Sequence, residues 1–287
     1  MLKVLSYPPE TEHQLRSFDF SAGEVQVRLD PLPPDLKEVT VEADIRNSRD
    51  LVETALTLDA INHQTNDGNT SIRLILRYLP YSRQDRPCTK GEAFSLRTAL
   101  SILTSPLVPG DTLVTWDVHS PVAQTLVPGG VSFVNVKAAD LIQDLFSKVD
   151  LIPDPETIVI SPDKGAVDRA TEVQKALGLS KTVYASKVRD PDSGAILRTE
   201  VPEYVDYKGK NLLIVDDICD GGRTFIELAK VLRTYEPAQI DLYVTHGIFS
   251  KGFHVFENLI DNFLVANLFP PATTQVTPEN LYYLYRQ

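Results

Sequence analysis

Short apolar runs followed by amphipathic segments recur along the chain. Residues 212–215, Leu-Leu-Ile-Val, are apolar throughout, which is typical of a strand covered on both faces of a sheet. A glycine-containing loop follows, and residues 225–232 then carry Phe, Ile, Leu and Ala at helical spacing. This succession of strand, loop and helix predicts an α/β organisation.

Similar patterns predict the remaining elements. Strands are predicted over residues 25–29, 71–80, 112–116, 157–163, 239–249 and 262–267. Helices are predicted over residues 48–64, 92–103 and 138–149, and after residue 224. Ser48 and Thr224 are the candidate N-caps of the first and last of these helices. We expect a proline-rich connection over residues 31–37 and a packing element over residues 281–285.

Composition narrows the class of protein. The chain has 287 residues, 43% of them hydrophobic, which is enough for one large or two ordinary α/β domains. The net charge of −11 argues against a nucleic-acid surface, although Mg²⁺ and a local basic cluster would still allow a polyphosphate ligand. Two cysteines, Cys88 and Cys219, and no targeting pattern lead us to expect reduced thiols in a cytoplasmic protein. No apolar run reaches the length of a membrane span, so we expect no membrane partner.

Acidic and glycine residues directly follow the apolar run 212–215. Asp216 and Asp217 come where ligands bind in open α/β sheets, at the carboxyl end of a strand. Gly221 and Gly222 allow backbone N–H groups to approach an anion, and a helix N-terminus favours phosphate. The stretch therefore offers two carboxylates for ribose hydroxyls or a metal beside a phosphate cradle. Taken alone, the pair is better explained by solvated acids in an ordinary strand–loop–helix unit.

Polar groups also follow four other predicted strands. They include Arg83 with Asp85, then His119, Asp163 and His246. Guanidinium groups match phosphate geometry, and imidazole can ligate a metal or donate to phosphate. For His246, a ligand contact and a purely structural role both remain open.

Several segments together resemble the phosphoribosyl pyrophosphate (PRPP) synthetases, or ribose-phosphate diphosphokinases, in the order of that family. They are FDFSAGE (18–24), PYSRQDR (80–86), DVHSPVAQ (117–124), SPDKGAVDR (161–169) and DDICDGGRT (216–224). The resemblance covers about residues 18–270. It implies two type I phosphoribosyltransferase-like halves, each a mostly parallel sheet flanked by helices. We place them at residues 1–138 and 139–287, with the C-terminal tail packing back on the first half.

The resemblance also implies site residues. The ATP-binding set is Phe20, Glu24, Arg83, Gln84, Asp85, Arg86 and His119. The implied Mg²⁺ ligands are His119 and Asp163. The ribose-phosphate set is Asp216, Asp217, Asp220, Gly221, Gly222, Arg223 and Thr224. Lys187 and Arg189 match two positions of the family's cationic catalytic loop, and with His119 they form the implied catalytic set. We expect residues 190–199 to form a mobile surface loop.

In that family, the β,γ-diphosphate of ATP moves to the anomeric hydroxyl of ribose 5-phosphate and AMP leaves. The partners expected here are ATP and a ribose 5-phosphate-type acceptor. The segment around Phe20 and Glu24 reaches across a subunit interface in the family, which implies a homo-oligomer, a dimer or hexamer, with a shared active site. Ala22 and residues 87–93 depart from the family pattern, the latter where a regulatory phosphate site lies.

Arg223 stands where the family has glycine, which suggests a larger acceptor such as ADP-ribose. Two other classes of protein remain open. One is a phosphoribosyltransferase that consumes PRPP, and it would not need the arginine turn at residues 83–86. The other is a non-catalytic PRPP synthetase-associated protein, against which the presence of Lys187 and Arg189 argues.

Overall fold

Two compact units make up the protein, Met1–Val136 and Lys137–Gln287. The computed structural model describes residues 2–65, 69–189, 196–270 and 278–287. Each unit has its own sheet and its own cluster of buried apolar side chains. The α/β class with two mostly parallel sheets, predicted from the sequence, is confirmed.

The N-terminal unit is a mixed sheet with helices. Its elements are β1 (Leu2–Tyr7), β2 (Thr11–His13), β3 (Leu15–Asp19), β4 (Val25–Leu29), β5 (Glu38–Ala43), α1 (Ser48–Gln64), β6 (Ser71–Leu76), α2 (Ser95–Thr104), β7 (Thr112–Trp116), α3 (Val122–Thr125) and β8 (Ser132–Val136). The sheet order is β2-β1-β5-β6-β7-β8, and β5 to β8 run parallel. Strands β3 and β4 form a separate antiparallel hairpin.

The C-terminal unit is built on an entirely parallel sheet. Its elements are α4 (Ala138–Val149), β9 (Ile158–Ser161), α5 (Val167–Ala176), β10 (Lys181–Tyr184), β11 (Ser186–Arg189), β12 (Ile196–Glu200), β13 (Asn211–Cys219), α6 (Arg223–Arg233), β14 (Gln239–Gly247), β15 (Asn262–Leu268) and β16 (Leu281–Arg286). The sheet order is β10-β9-β13-β14-β15-β16. All five pairings within it are parallel.

Helices cover both faces of this parallel sheet, as the apolar runs predict. Ile214 and Val244 belong to the same buried cluster as Phe225 and Leu228 of α6. On the other face, the hydroxyl of Tyr243 donates to the Ala138 carbonyl at the start of α4. The central strands are therefore fixed on both sides, and their carboxyl ends form a rigid edge.

Several element boundaries differ from the predictions. Strand β6 ends at Leu76, four residues early, and α2 begins at Ser95 rather than at residue 92. Strand β13 continues through the two acidic residues to Cys219. Helix α6 begins at Arg223 behind Gly222, so Thr224 lies in the first turn and is not the N-cap.

One other expectation, the surface loop over residues 190–199, needs correction. The predicted surface loop contains strand β12, which pairs antiparallel with β11, while residues 190–195 of that prediction lie outside the described residues. The C-terminal tail forms β16, the edge strand of the second unit's own sheet, beside β15. Its Leu and Tyr side chains are half-buried throughout, which suits an edge position.

Within the described ranges, no helix combines the length and the apolar character needed to cross a bilayer.

Helix α1 has the predicted bounds but a different cap. Asn47, with extended backbone, accepts a hydrogen bond from the Asp50 amide through Oδ1 at 3.0 Å. Ser48 is instead the first helical residue.

We predict that Asn47→Ala lowers the free energy of unfolding by about 1 kcal/mol, because the Asp50 amide loses its side-chain acceptor. Ser48→Ala, the matched control, should change it by less than about 0.5 kcal/mol. Urea unfolding followed by circular dichroism measures both, and the reverse ranking would contradict the cap assignment.

Candidate active site

Acidic residues gather at the carboxyl edge of the C-terminal sheet. Strands β9 and β13 are parallel neighbours, so their carboxyl ends lie at the same edge. Asp163 follows β9, is half-buried, and accepts a hydrogen bond from the Gly165 amide through Oδ1 at 3.0 Å. Asp216 and Asp217 lie within the last residues of β13. The edge therefore presents three carboxyl groups, in the order predicted from the sequence.

Arg169, on α5, lies against both central carboxyl groups. Its Nη1 is 3.5 Å from Oδ1 of Asp216, and its Nη2 is 3.9 Å from Oδ2 of Asp217. Burial and the neighbouring Asp217 raise the pKa of Asp216 well above its usual value, whereas Arg169 opposes that rise. The arginine therefore favours the ionised form of a carboxyl pair that desolvation disfavours.

The loop after β13 makes a tight approach to α6. Gly222 has φ of 76°, and its carbonyl accepts the Ile226 amide at 2.9 Å as α6 begins. A Cβ at this position would lie 2.3 Å from Cζ of Phe256. Only glycine fits both the backbone conformation and the space. The first-turn N–H groups of α6, which lack acceptors within the helix, thereby face the loop.

A turn after β14 holds this loop from the other side. The amides of Ile248 and Phe249 donate to the Cys219 carbonyl at 2.8 and 3.1 Å, and the Ser250 amide donates to Asp220 at 3.1 Å. Phe249 has a positive φ of 46°, and its ring packs on Phe256 at a centroid distance of 6.0 Å. His246 is buried within β14, its Nδ1 3.3 Å from Nδ2 of Asn267, which places it in the sheet interior.

In the N-terminal unit, a turn follows β6 where the arginine motif lies. Arg83 and Gln84 line a cavity of about 310 Å³ together with Ile45, Arg46, Asn47, Tyr78, Pro80 and Tyr81. Tyr81 has a positive φ of 62°, and the Gln84 amide donates to its carbonyl at 2.9 Å. Asp85 and Arg86 follow in the same turn, half-buried and exposed respectively.

His119 is exposed and follows the neighbouring strand, β7. Asp117, just before it, is buried with φ of 38°, and the Val118 amide donates to Oδ1 of Asn135 at 3.0 Å. Because β6 and β7 are parallel, His119 and the arginine turn share one edge of the sheet. Backbone strain at such strand ends is typical of functional sites.

The aromatic segment forms the tip of the β3–β4 hairpin. Phe20 and Glu24 close the turn, with the Phe20 amide donating to the Glu24 carbonyl at 2.8 Å. The Phe20 ring is 55% exposed and packs edge-on against Phe18 at 5.7 Å. Arg49 of α1 pairs with Asp19 at 2.7 Å, which ties the hairpin to the helix.

Lys187 and Arg189 are residues of strand β11. Strand β12 pairs with β11 and contacts helix α6. Sequence reasoning missed two residues that line the N-terminal cavity, Arg46 and Tyr78, and it gave no role to Arg169. Arg46 follows β5 as Arg83 follows β6, so the strand-end rule could have identified it.

Sequence comparison shows which known proteins this chain resembles. A family model, Phosphoribosyl transferase domain, matches residues 134–256. A ribose-phosphate pyrophosphokinase of Pyrococcus furiosus is 32% identical over 90% of this chain and 87% of its own length. One from Thermococcus kodakarensis is 33% identical over 79% of this chain and 76% of its own.

The chain belongs to the ribose-phosphate pyrophosphokinase family.

A solved structure agrees with this membership at the level of the fold. The phosphoribosylpyrophosphate synthetase of Mycobacterium smegmatis is 23% identical, with a TM-score of 0.72 over 96% of this chain and 87% of its own. The family predicted from the sequence is thus confirmed, and the protein is an enzyme of the ribose-phosphate pyrophosphokinase type.

The close approach at Gly222 generates a stability prediction for this pyrophosphokinase. Gly222→Ala should lower the free energy of unfolding more than Gly209→Ala, by at least about 1 kcal/mol. Gly209 also has a positive φ, 66°, but no described atom lies within 4 Å of an added Cβ. In both variants an alanine must adopt a left-handed backbone conformation, which costs about 1–2 kcal/mol. Only in Gly222→Ala does the new Cβ also clash with Phe256. If denaturant unfolding gave the same loss of unfolding free energy for both variants, the Phe256 ring would have moved aside at no cost, contrary to this prediction.

Proposed function

We propose that the protein transfers the β,γ-diphosphate of ATP to the anomeric hydroxyl of a ribose 5-phosphate unit, with Mg²⁺, and releases AMP. The observation that carries the proposal is the Arg169-supported carboxyl pair, Asp216 and Asp217, beside the glycine loop at the start of α6. Family membership supports the same reaction, because the relatives are named ribose-phosphate pyrophosphokinases.

In this proposal the C-terminal unit binds the acceptor. Asp216 and Asp217 accept hydrogen bonds from the ribose hydroxyls. The 5-phosphate sits against the α6 N-terminus, where backbone amides and the helix dipole favour an anion. The residues around that phosphate are Asp220, Gly221, Gly222, Arg223 and Thr224. The backbone of this loop is held on both sides, so the site needs little reorganisation when the phosphate binds.

The N-terminal unit binds ATP. The residues proposed for this are Phe20, Glu24, Arg83, Gln84, Asp85, Arg86 and His119. Arg83 and Gln84 border a cavity that also contains Arg46, so three polar side chains converge on one volume. Guanidinium groups suit phosphate oxygens there. The exposed ring of Phe20 offers a stacking surface for adenine.

The Phe20 ring also supports a shared site. An aromatic side chain that is 55% exposed at a hairpin tip is available to another subunit. We therefore propose a homo-oligomer, a dimer or hexamer, in which the hairpin tip contributes to the neighbour's ATP site.

The proposed diphosphoryl transfer is a single displacement at Pβ of ATP. The anomeric oxygen attacks Pβ, the bond between Pβ and the α,β-bridging oxygen breaks, and AMP leaves with that oxygen. We assign no described side chain as a general base, so the proton of the anomeric hydroxyl passes to solvent. Lys187 and Arg189 stabilise the charge that develops on the transferring group. Catalysis is thus mainly positioning and charge stabilisation, as in other phosphoryl transfers.

The proposed metal ligands are His119 and Asp163. Among the described residues, no group of three or more His, Cys, Asp or Glu side chains could hold a metal by itself. That fits Mg²⁺, which binds through one or two carboxylates and completes its shell with waters and substrate phosphates. When bound, Mg²⁺ would neutralise diphosphate charge. Asp163 is suited to hold it because the carboxylate is oriented by the Gly165 amide.

Two acceptors fit the proposal. One is ribose 5-phosphate. The other is ADP-ribose, whose free ribose carries a 5′-diphosphate and whose product, ADP-ribose pyrophosphate, would serve NAD synthesis or salvage. Arg223 supports the second acceptor, because an exposed guanidinium at the first position of α6 can reach a further phosphate.

Turnover with both acceptors tests the proposed function. Purified protein with Mg-ATP should release AMP in the presence of ribose 5-phosphate, ADP-ribose or both. Lys187→Ala, checked for folding by circular dichroism, should lose most of this turnover and serves as the control for contaminating activity. The absence of AMP with either acceptor would overturn the proposal. Release of inorganic diphosphate from PRPP that depends on an added nucleobase would instead indicate a phosphoribosyltransferase.

The pKa of Asp216 predicts a pH dependence of acceptor binding. A carboxyl group with a raised pKa is ionised only above that pKa, so acceptor affinity should rise with pH as Asp216 loses its proton. In Arg169→Gln the opposing cation is lost, so the pKa rises further and the midpoint moves to higher pH. At neutral pH the acceptor affinity should fall by about tenfold.

Calorimetric titration of acceptor between acidic and basic pH measures this midpoint. Arg233→Gln is the control, because that arginine pairs with Asp261 at 2.6 Å, outside the proposed site. An unchanged or lower midpoint in Arg169→Gln would refute the role given to this arginine.

A further inference from the structure

A second cation lies beside the phosphate loop. The Lys251 side chain crosses Gly221, with Cε, Cδ and Cγ at 3.5, 3.6 and 3.9 Å from the position of a Cβ on that glycine. Its place is fixed by backbone bonds, because the Ser250 amide donates to Asp220 and the Gly252 amide donates to Phe249 at 2.7 Å. The Lys251 side chain therefore lies against the loop at Gly221, and Arg223 begins α6 two residues further on.

These two cations differ from several of the basic residues in the same unit. Lys208, Lys210 and Lys230 each pair with a glutamate, at 2.5, 3.4 and 3.1 Å. Lys251 and Arg223 are exposed, and neither forms an ion pair with any residue that the structure describes. Lys164, Lys175 and Lys181 are exposed and form no ion pair with a described residue either, so the distinguishing feature of Lys251 and Arg223 is their position at the loop assigned to phosphate.

We infer that Lys251 and Arg223 together form a second phosphate position beside the loop, and that they select an acceptor whose ribose 5-oxygen carries a diphosphate ester. The inference rests on the proposed function, because it takes residues 220–224 as the site of the acceptor's first phosphate.

The chemistry favours a diphosphate over a monophosphate. A 5-phosphate already finds the α6 N-terminus and the loop amides, which are sufficient for one group. A diphosphate ester spreads its charge over a second phosphorus, which lies beyond those amides. A lysine packed against Gly221 and an arginine at the first position of α6 can each contact the outer phosphate oxygens. A neutral pair at these positions would leave the outer phosphate bound only by water.

Binding in the absence of turnover tests the inference. Calorimetry would measure the affinities for ADP-ribose and for ribose 5-phosphate, with Mg²⁺ and saturating α,β-methylene-ATP. This analogue occupies the ATP site and cannot undergo cleavage between Pα and Pβ. The variants are Lys251→Gln, Arg223→Gln and the double variant. Lys230→Gln is the matched control, an exposed lysine on the same helix as Arg223.

The wild-type protein should bind ADP-ribose more tightly than ribose 5-phosphate. The ratio of the two affinities should fall about tenfold in each single variant and by roughly a hundredfold in the double variant, with no change in Lys230→Gln. The inference would be overturned if Lys251→Gln lost the same affinity for both acceptors, or lost affinity for neither. It would also be overturned if the wild-type protein did not bind ADP-ribose. The proposed function is judged separately by AMP release, so the two can fail independently.

Discussion

Two adjacent carboxyl groups buried at the end of one strand are the constraint on which this structure depends. Desolvation and repulsion from Asp217 disfavour the ionised form of Asp216, whereas Arg169 and the hydrogen bond from the Asp217 amide to Oδ1 of Asp216 oppose that cost. Keeping the arginine in place requires α5 to follow β9 immediately and β9 to lie beside β13. The parallel sheet, covered by helices on both faces, provides that arrangement.

The same edge holds the loop that we assign to phosphate. Cys219 and Asp220 accept amides from the turn after β14, and Gly222 lies against the ring of Phe256. The loop therefore depends on contacts with a strand that is distant in sequence. Tyr81, Asp117 and Phe249 have positive φ values just after their strands, 62°, 38° and 46°. Strain of this kind persists where surrounding structure fixes the backbone, and here it coincides with the strand ends that carry the candidate site.

Strong local periodicity explains what could be predicted from the sequence. The bounds of α1, α4 and β7 match their predictions, because each has a clear apolar pattern within one element. Interactions between distant segments explain the rest. The extension of β13 depends on pairing with β14, and β12 forms only against β11, so neither was visible in local sequence. The motifs identified Asp163, Asp216 and the glycine loop, and one motif ends at Arg169, but the contacts of Arg169 with the carboxyl pair and of Lys251 with the loop arise from packing between distant segments.

The most direct test of the central claim is the identity of the group transferred. Phosphorus NMR of a reaction with Mg-ATP and each acceptor distinguishes diphosphoryl from phosphoryl transfer. If the anomeric oxygen of the ribose bound by Asp216 and Asp217 attacks Pβ, as we propose, AMP and an anomeric sugar diphosphate should form in equal amounts. ADP together with a sugar monophosphate, or orthophosphate alone, would contradict it.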